Sequence, residues 1–379
     1  MDNNMQKREE DRVRSAQVKK QRRRFRLFTV VALTLAWVLL LICVILLVWN
    51  RWEARKQKKE QDAIETVAEV QEILYSQEEV DALVAEALAE REAQADEAAR
   101  LREEEVLGGI RGKLEDGVTV VETLRPYYPD DIVLVSNGLF HFVPISDALQ
   151  HHDYIEENLN VLENGEFQYV EQGEVISHKG IDVSTFQGEI DWDRVAEDGV
   201  EFVFIRAIFR GYGSGKLVED DTFEQNIEGA LRAGIKVGVY VFSQAINEEE
   251  LREETDLLLE KLAPYKIQCP VVFDVEKIAN ADGRMNRLSV EERTNLTIQF
   301  CKIMENAGYH PMIYHNMEMA ALMLDLQQLE EYDKWFAYYN DNFYYPYKYK
   351  VWQYSEKGKV NGISTDVDMN ISFEPLWEE

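Results

Sequence analysis

The sequence predicts an α/β protein whose C-terminal half is a reduced, TIM-like barrel, preceded by a transmembrane helix, a helical stalk and a small β-rich module. Three observations predict it. From residue 178 onward, apolar strand-like runs alternate with helical stretches five times, and three more strands follow with little helix between them. That is the pattern of a parallel barrel that degenerates near its end; residues 178–379 are fewer than the about 250 of a full eightfold barrel, so a reduced version fits. Residues 27–49 are 23 in a row without a charge. Residues 60–107 contain neither Pro nor Gly and repeat apolar positions at helical spacing.

The elements follow in order. Residues 1–26 carry ten Lys/Arg and read as a basic cytoplasmic tail. A helix over 27–49 would reach about 35 Å, enough to cross a hydrocarbon layer of about 30 Å. It is longer than the about 7–15 apolar residues of a cleaved signal, and it ends in Trp49-Asn50-Arg51-Trp52, an interfacial belt, which favours an uncleaved single-pass anchor. Five Lys/Arg follow within 51–59, so the more basic N-terminal side is expected in the cytoplasm and the C-terminal bulk outside the cell membrane. Residues 50–110 form the acidic stalk. Ile64, Val67, Val70, Leu74, Val80, Leu83, Val84, Ala87 and Leu88 give it a weak apolar stripe, suited to a loose coiled coil able to self-associate, with Gly108-Gly109 expected to end it. Residues 111–177 read as the β-rich module: two strands in 131–145 around the turn signal Ser136-Asn137-Gly138, and a second pair near 167–169 and 174–176. It carries no recognisable chemistry and would serve as a spacer or a wall- or partner-binding unit. Barrel strands are expected at 180–185, 202–208, 236–242, 270–275, 312–315, 335–339, 350–354 and 367–371. Asn247 and the box Ser289–Glu292 mark helix starts between them.

Composition narrows the function. The net charge of −30 divides into +10 over residues 1–59 and −40 over 60–379, and such a polyanion disfavours nucleic acid as a partner. Three cysteines exclude a disulfide scaffold; Cys43 lies in the apolar run, and the spacing leaves open whether Cys269 and Cys301 meet. The six histidines show no metal-ligand spacing, so no metal and no cofactor are expected. Gly211-Tyr-Gly-Ser-Gly215 resembles a phosphate loop, but Lys216 is followed by Leu217, so it reads as a barrel loop.

Reactive groups of α/β barrels sit at the C-terminal ends of strands. In Val271-Val-Phe-Asp274-Val-Glu276 the two acids share one face of an apolar strand. Crowding raises the cost of ionising both, which prepares a general acid; the plainer reading is a solvated strand end or an ion pair. Asp182 stands in Gly180-Ile-Asp-Val-Ser184, and Asp368 shares a face with Asp366 and Asn370. Singly these are cap or turn acids. Four carboxylates at one end suit glycoside hydrolysis, or a divalent metal. Tyr240, Phe242, Tyr314, Trp335, Tyr339, Trp352 and Tyr354 lie on or beside strand ends, where sugar rings pack on aromatic planes and Gln353 or Asn340 could bond hydroxyls. The stretch 338–349 is too aromatic for an ordinary exposed loop.

These residues resemble glycoside hydrolase family 25, the Chalaropsis-type lysozymes. The entry motif Gly180-Ile-Asp-Val-Ser-Thr-Phe-Gln187 with Asp191-Trp192 is followed in order by Phe204-Ile-Arg-Ala207, Gly238-Val-Tyr-Val-Phe-Ser243, Val272-Phe-Asp-Val-Glu276, Ile313-Tyr314, Trp335-Phe-Ala-Tyr-Tyr339, Val351-Trp-Gln-Tyr354 and Val367-Asp-Met-Asn370. The resemblance implies a (β/α)5(β)3 barrel and an N-acetylmuramidase that cleaves the β-1,4 bond between N-acetylmuramic acid and N-acetylglucosamine of peptidoglycan strands. It implies Glu276 as proton donor, Asp274 positioning or stabilising the reacting sugar, Asp182 and Asp368 completing the acidic cluster, and Tyr240, Tyr339 and Trp352 lining the groove. Tyr240-Val241-Phe242 departs from the Tyr-His-Phe of many relatives, removing one polar groove contact. The sum is a membrane-anchored peptidoglycan hydrolase; the rival is a non-catalytic cell-wall glycan-binding or scaffold protein on the same barrel.

Overall fold

The structure is a computed structural model that describes residues 37, 40–67, 76–279 and 283–377. It divides into two compact units, residues 1–107 and 108–379. In the first, residues 40–67 are helical (α1), and the helix Gln77–Glu115 (α2) begins. No helix among the described residues is long and apolar enough to cross a membrane. Residues 27–36 and 38–39 of the expected span lie outside the described residues. No residue of α2 is buried among the described residues, so its apolar stripe stays exposed there.

The expected stop at Gly108-Gly109 is corrected: α2 runs through both to Glu115. A helical glycine costs about 1 kcal/mol against alanine but does not break the hydrogen-bond ladder. The helix ends instead where the chain turns left-handed, at Gly117 with φ 83°. There Val118 N–H reaches Lys113 O (2.9 Å) and Gly117 N–H reaches Leu114 O (3.1 Å), the paired bonds of a glycine C-terminal cap.

In the second unit, the helix Val120–Leu124 (α3) leads to a hairpin of Asp131–Ser136 (β1) and Leu139–Pro144 (β2). Its two-residue turn, Asn137 (φ 51°) and Gly138 (φ 76°), has positive φ at both positions, the backbone that matches the right-handed twist of the paired strands. Strands Leu159–Val161 (β3), Phe167–Glu171 (β4) and Glu174–Val175 (β5) form an antiparallel sheet. The barrel follows. Its first part is His178–Val183 (β6), the helix Trp192–Glu197 (α4), Phe202–Arg210 (β7), Leu217–Glu219 (β8), the helix Phe223–Arg232 (α5) and Lys236–Ser243 (β9). Then come the helix Glu248–Leu262 (α6), Val271–Val275 (β10), the helix Val290–Asn306 (α7), Pro311–Asn316 (β11), Asp333–Ala337 (β12), Val351–Gly358 (β13) and Val367–Ser372 (β14). Asn247 caps α6 and the Ser289–Glu292 box caps α7, as their sequences require. In place of a fifth barrel helix there is one π turn, Met319–Met323.

Eight strands close the barrel in the order β6-β14-β13-β12-β11-β10-β9-β7, with β7 paired back to β6; β8 only extends β7. Six of the eight junctions are parallel, but β14 is antiparallel to both β13 and β6. The cause is the short link, residues 359–366, since a parallel return needs a crossover of a dozen residues or more.

Strand alternation separates two cores. Phe202, Phe204, Val272, Met312, Trp335 and Val351 fill the barrel interior, while Val203, Ile205, Phe273 and Trp352 point outward. Cys269 belongs to the inner cluster and Cys301 to the outer one, and both are free thiols. Residues 111–177 do not pack as a module of their own. Ile132, Leu134 and Tyr169 share the outer core with Phe343, Tyr345 and Tyr349, so the aromatic stretch 338–349 is the glue between this segment and the barrel. Tyr154 stacks on Phe373 at 3.9 Å and Phe167 on Tyr354 at 4.2 Å, offsetting part of the cost of ordering the segment.

Candidate active site

One rim of the barrel opens into a groove with a cavity of about 260 Å³, lined by Asp182, Asp274, Glu276 and Asp368 together with Arg206, Tyr240, Phe242, Tyr314, Trp335, Tyr339 and Gln353. The four acids, up to 186 positions apart in the chain, therefore meet. Asp274 pairs in register with Phe242 on one side and Tyr314 on the other. Asp182 and Asp368 face each other directly across the β6–β14 seam. Asp368 corrects the rule used to find it: it is the second residue of its strand, not near the C-terminal end. It reaches the same rim because β14 runs the opposite way.

Asp182 is buried and held from two sides, accepting from Gln353 Nε2 and Asn370 Nδ2 at 2.8 Å each. Both amides are themselves fixed. Gln353 Oε1 accepts from the Tyr314 and Tyr339 hydroxyls at 2.8 and 2.9 Å, and Asn370 Oδ1 accepts from Trp335 Nε1 at 2.7 Å. This network fixes the orientation of Gln353 and leaves the Asp182 carboxyl little rotational freedom. Glu276, half-buried, sits one residue past the end of β10, and its backbone carbonyl accepts from Gln244 Nε2 at 3.2 Å.

Burial raises the proton affinity of all four acids. It pushes Asp182 up to about 6, against the opposing pull of its hydrogen bonds from Asn370 and Gln353. It pushes Asp368 up to about 9, with the facing Asp182 adding to the rise. Asp274 is raised well above the usual carboxylate range by burial and then by Glu276; Glu276 is raised by burial, with Asp182 adding to it. The four thus form two pairs: with values near 6 and 9 Asp182 and Asp368 share a proton at neutral pH, and Asp274 and Glu276 are both shifted towards the protonated form. Among the described residues lining the groove Arg206 is the one cation, and it is already engaged with the buried Asp220 at 2.8 Å. Protons, not counter-charges, make the cluster tolerable.

Of the residues expected to line the groove, Tyr240, Phe242, Tyr314, Trp335, Tyr339 and Gln353 do so. Trp352 does not. It is fully buried on the outer face of β13, packs on Phe167 and Phe343 at 5.3 Å each, and donates to Tyr338 O at 2.7 Å. Alternation sends Gln353 in and Trp352 out; Tyr354 follows Trp352 outward. The sequence argument gave no role to Arg206, Phe186 or Glu356, which also line the groove. Arg206 had a signal: a charge in an apolar run, on the inward face with Phe202 and Phe204. Phe186 (75% exposed) and Tyr339 (50%) present bare rings at the rim, with the Arg206 guanidinium 5.2 Å from the Phe186 ring.

Acids that keep protons at neutral pH, opposed across a groove with aromatic walls on an α/β barrel, define a glycoside hydrolase site. Residues 181–363 match the model of Glycosyl hydrolases family 25, and the chain belongs to that family. It is 26% identical over 193 residues to an autolytic lysozyme of Clostridium acetobutylicum, covering 51% of this chain and 55% of that one. It is 30% identical over 205 residues to the uncharacterized protein YegX of Escherichia coli, covering 51% of this chain and 68% of that one. A family 25 glycosyl hydrolase from Bacillus anthracis aligns in structure with a TM-score of 0.43 at 24% identity, covering 55% of this chain and 93% of that one. The chain thus spans about half the length of the autolytic lysozyme.

Proposed function

We propose that the chain is a muramidase that cleaves the β-1,4 bond between N-acetylmuramic acid and N-acetylglucosamine in peptidoglycan, tethered to the cell membrane by residues 27–49. The observation that carries the reading is the pairing of Asp274 with Glu276 in a groove that keeps a proton on the pair. Glu276, the more accessible of the two, delivers that proton to the glycosidic oxygen. Asp274 lies deeper, and its Oδ1 is a buried acceptor without a hydrogen-bond partner among the described residues. An N-acetyl N–H of the sugar would satisfy it, which orients that group beside the anomeric carbon. Tyr339 and Phe186 give the sugar faces a surface to pack on. The autolytic lysozyme relative supports this substrate class.

The anchor rests on the uncharged run 27–49 and on its described part, where Leu40, Leu41, Leu46, Leu47, Val48 and Trp49 are all exposed on α1. Exposed apolar side chains in this number need a cover, and lipid is the cover a run of this length fits. The N-terminus would then be cytoplasmic and the barrel outside. The test is digestion of insoluble peptidoglycan by the full chain in detergent. Reducing ends should be released, and Glu276→Gln should lower turnover by about 10²–10⁴-fold while wall binding persists. Binding without any release by the parent chain would instead mark a glycan-binding scaffold.

A further inference from the structure

The segment in front of the barrel reaches the loop that carries Glu276 through the tip of the β1–β2 hairpin. Lys277, next in sequence to Glu276, directs its Nζ to Asn137 Oδ1 at 3.0 Å, Ser136 Oγ at 3.3 Å and Glu318 Oε1 at 2.5 Å. Ser136 Oγ in turn donates to Glu318 Oε1. The Lys277 and Glu318 side chains are only 16% and 24% exposed, so the pair is largely shielded from water and its geometry is restrictive. The same short loop is also held by Gln244 on the Glu276 carbonyl and by Asn286 on both backbone groups of Ile278. The hairpin therefore adds a side-chain hold on the residue next to Glu276. It is well placed to do so. Its turn geometry is rigid, its β1 backbone is tied to the barrel through Tyr344, whose hydroxyl accepts from Val133 N–H at 2.6 Å, and Arg125 lies 3.7 Å over the Tyr344 ring.

We propose that Lys277, gripped by the hairpin tip, is a positioning residue for Glu276, so that residues 119–144 set the turnover of the barrel. The proposal rests on Glu276 being the proton donor. A carboxyl displaced by about 1 Å can cost two orders of magnitude in rate, whereas Glu276 is the one residue of 276–279 that lines the groove and the other lining side chains come from outside this loop. Loosening the grip should lower kcat and spare KM.

The test uses the full chain. In the double variant Ser136→Ala/Asn137→Gly, glycine keeps the left-handed turn, both hairpin contacts to Lys277 are lost, and the Lys277–Glu318 pair remains. The expected result on peptidoglycan is a kcat at least fivefold lower with KM within twofold. Hydrogen exchange at the amides of residues 276–279 should quicken at least tenfold, with exchange in β9 and β10 unchanged. Lys277→Met should behave like the double variant, and Lys277→Arg, which can reach the same acceptors, should keep at least half the parent kcat. A double variant with parental kcat and parental exchange overturns the proposal. So does a loss shared equally between kcat and KM, which a general loosening of the barrel would give. If the parent releases no reducing ends, the muramidase reading fails on its own, and the exchange rates alone decide whether the hairpin holds the loop.

Discussion

Replacing Asp368 by Asn isolates the proton shared across the β6–β14 seam. In an unfolded chain an aspartate titrates near 3.9, whereas in the fold burial and the facing Asp182 push Asp368 up to about 9. Between pH 6.5 and 8.5 the folded chain therefore keeps a proton that the unfolded chain has released. Raising the pH in that window favours unfolding, by about 1.4 kcal/mol per pH unit for one proton. The pair should thus cost the parent up to about 3 kcal/mol over two units. This contribution is fully present below the unfolded value, near pH 4, and gone above about pH 9. His315, held neutral with its pKa pushed down to about 3 by burial, works in the opposite sense only near the bottom of the window, where unfolded histidine is still partly protonated, and equally in both chains. Lys334, brought down to about 8 by burial, works in the opposite sense only near the top of the window, and equally in both chains. Urea denaturation at pH 6.5, 7.5 and 8.5, followed through near-ultraviolet signals of the buried Trp192, Trp335 and Trp352, measures the slope. Asp368→Asn should lower the slope by about one proton's share, leaving the part due to Asp274 and Glu276, and be the more stable protein at pH 8.5. Parallel slopes for parent and variant would refute the shared proton.

Three further substitutions separate groove from core. Trp352→Ala should destabilise the barrel by about 3–5 kcal/mol, as expected for a buried aromatic, while the folded fraction keeps its KM. Tyr339→Ala should do the reverse, raising KM severalfold with stability within about 1 kcal/mol, because half of that side chain already faces solvent. Arg206→Met leaves Asp220 buried without its counter-charge and should cost about 3–5 kcal/mol in a chemical melt. Deleting residues 27–49 should move the protein from the alkaline-carbonate-resistant membrane fraction to the supernatant; retention in the membrane fraction would refute the anchor.

The barrel strands were readable because each is an apolar run of strand length between cap or turn residues: β6, β7, β9–β12 and β14 fall within two residues of where the sequence places them, and β13 runs four residues further, to Gly358. What was not readable has physical causes. The direction of β14 leaves no trace in Val367–Ser372, since inward and outward residues alternate identically in a strand and in its reverse. Trp352 was misassigned by residue type, although the same alternation that sends Gln353 inward excludes it. Gly108-Gly109 resembled a stop because glycine disfavours helix, but only Gly117 adopts a conformation that other residues resist. The place of residues 111–177 depended on the aromatic stretch 338–349, more than 160 positions away. The sequence showed that this stretch needed covering and not what covered it.

The seam between β6 and β14 joins the first and last strands of the barrel. Half of one proton-sharing pair is thus made at the start of the domain and half at its end. A chain that has been synthesised only as far as residue 366 possesses Asp274 and Glu276 but has an open wall, with Asp182 facing water in place of Asp368. Whatever the rim does chemically, its acidic cluster is complete only once the last strand of the barrel has been made and seated.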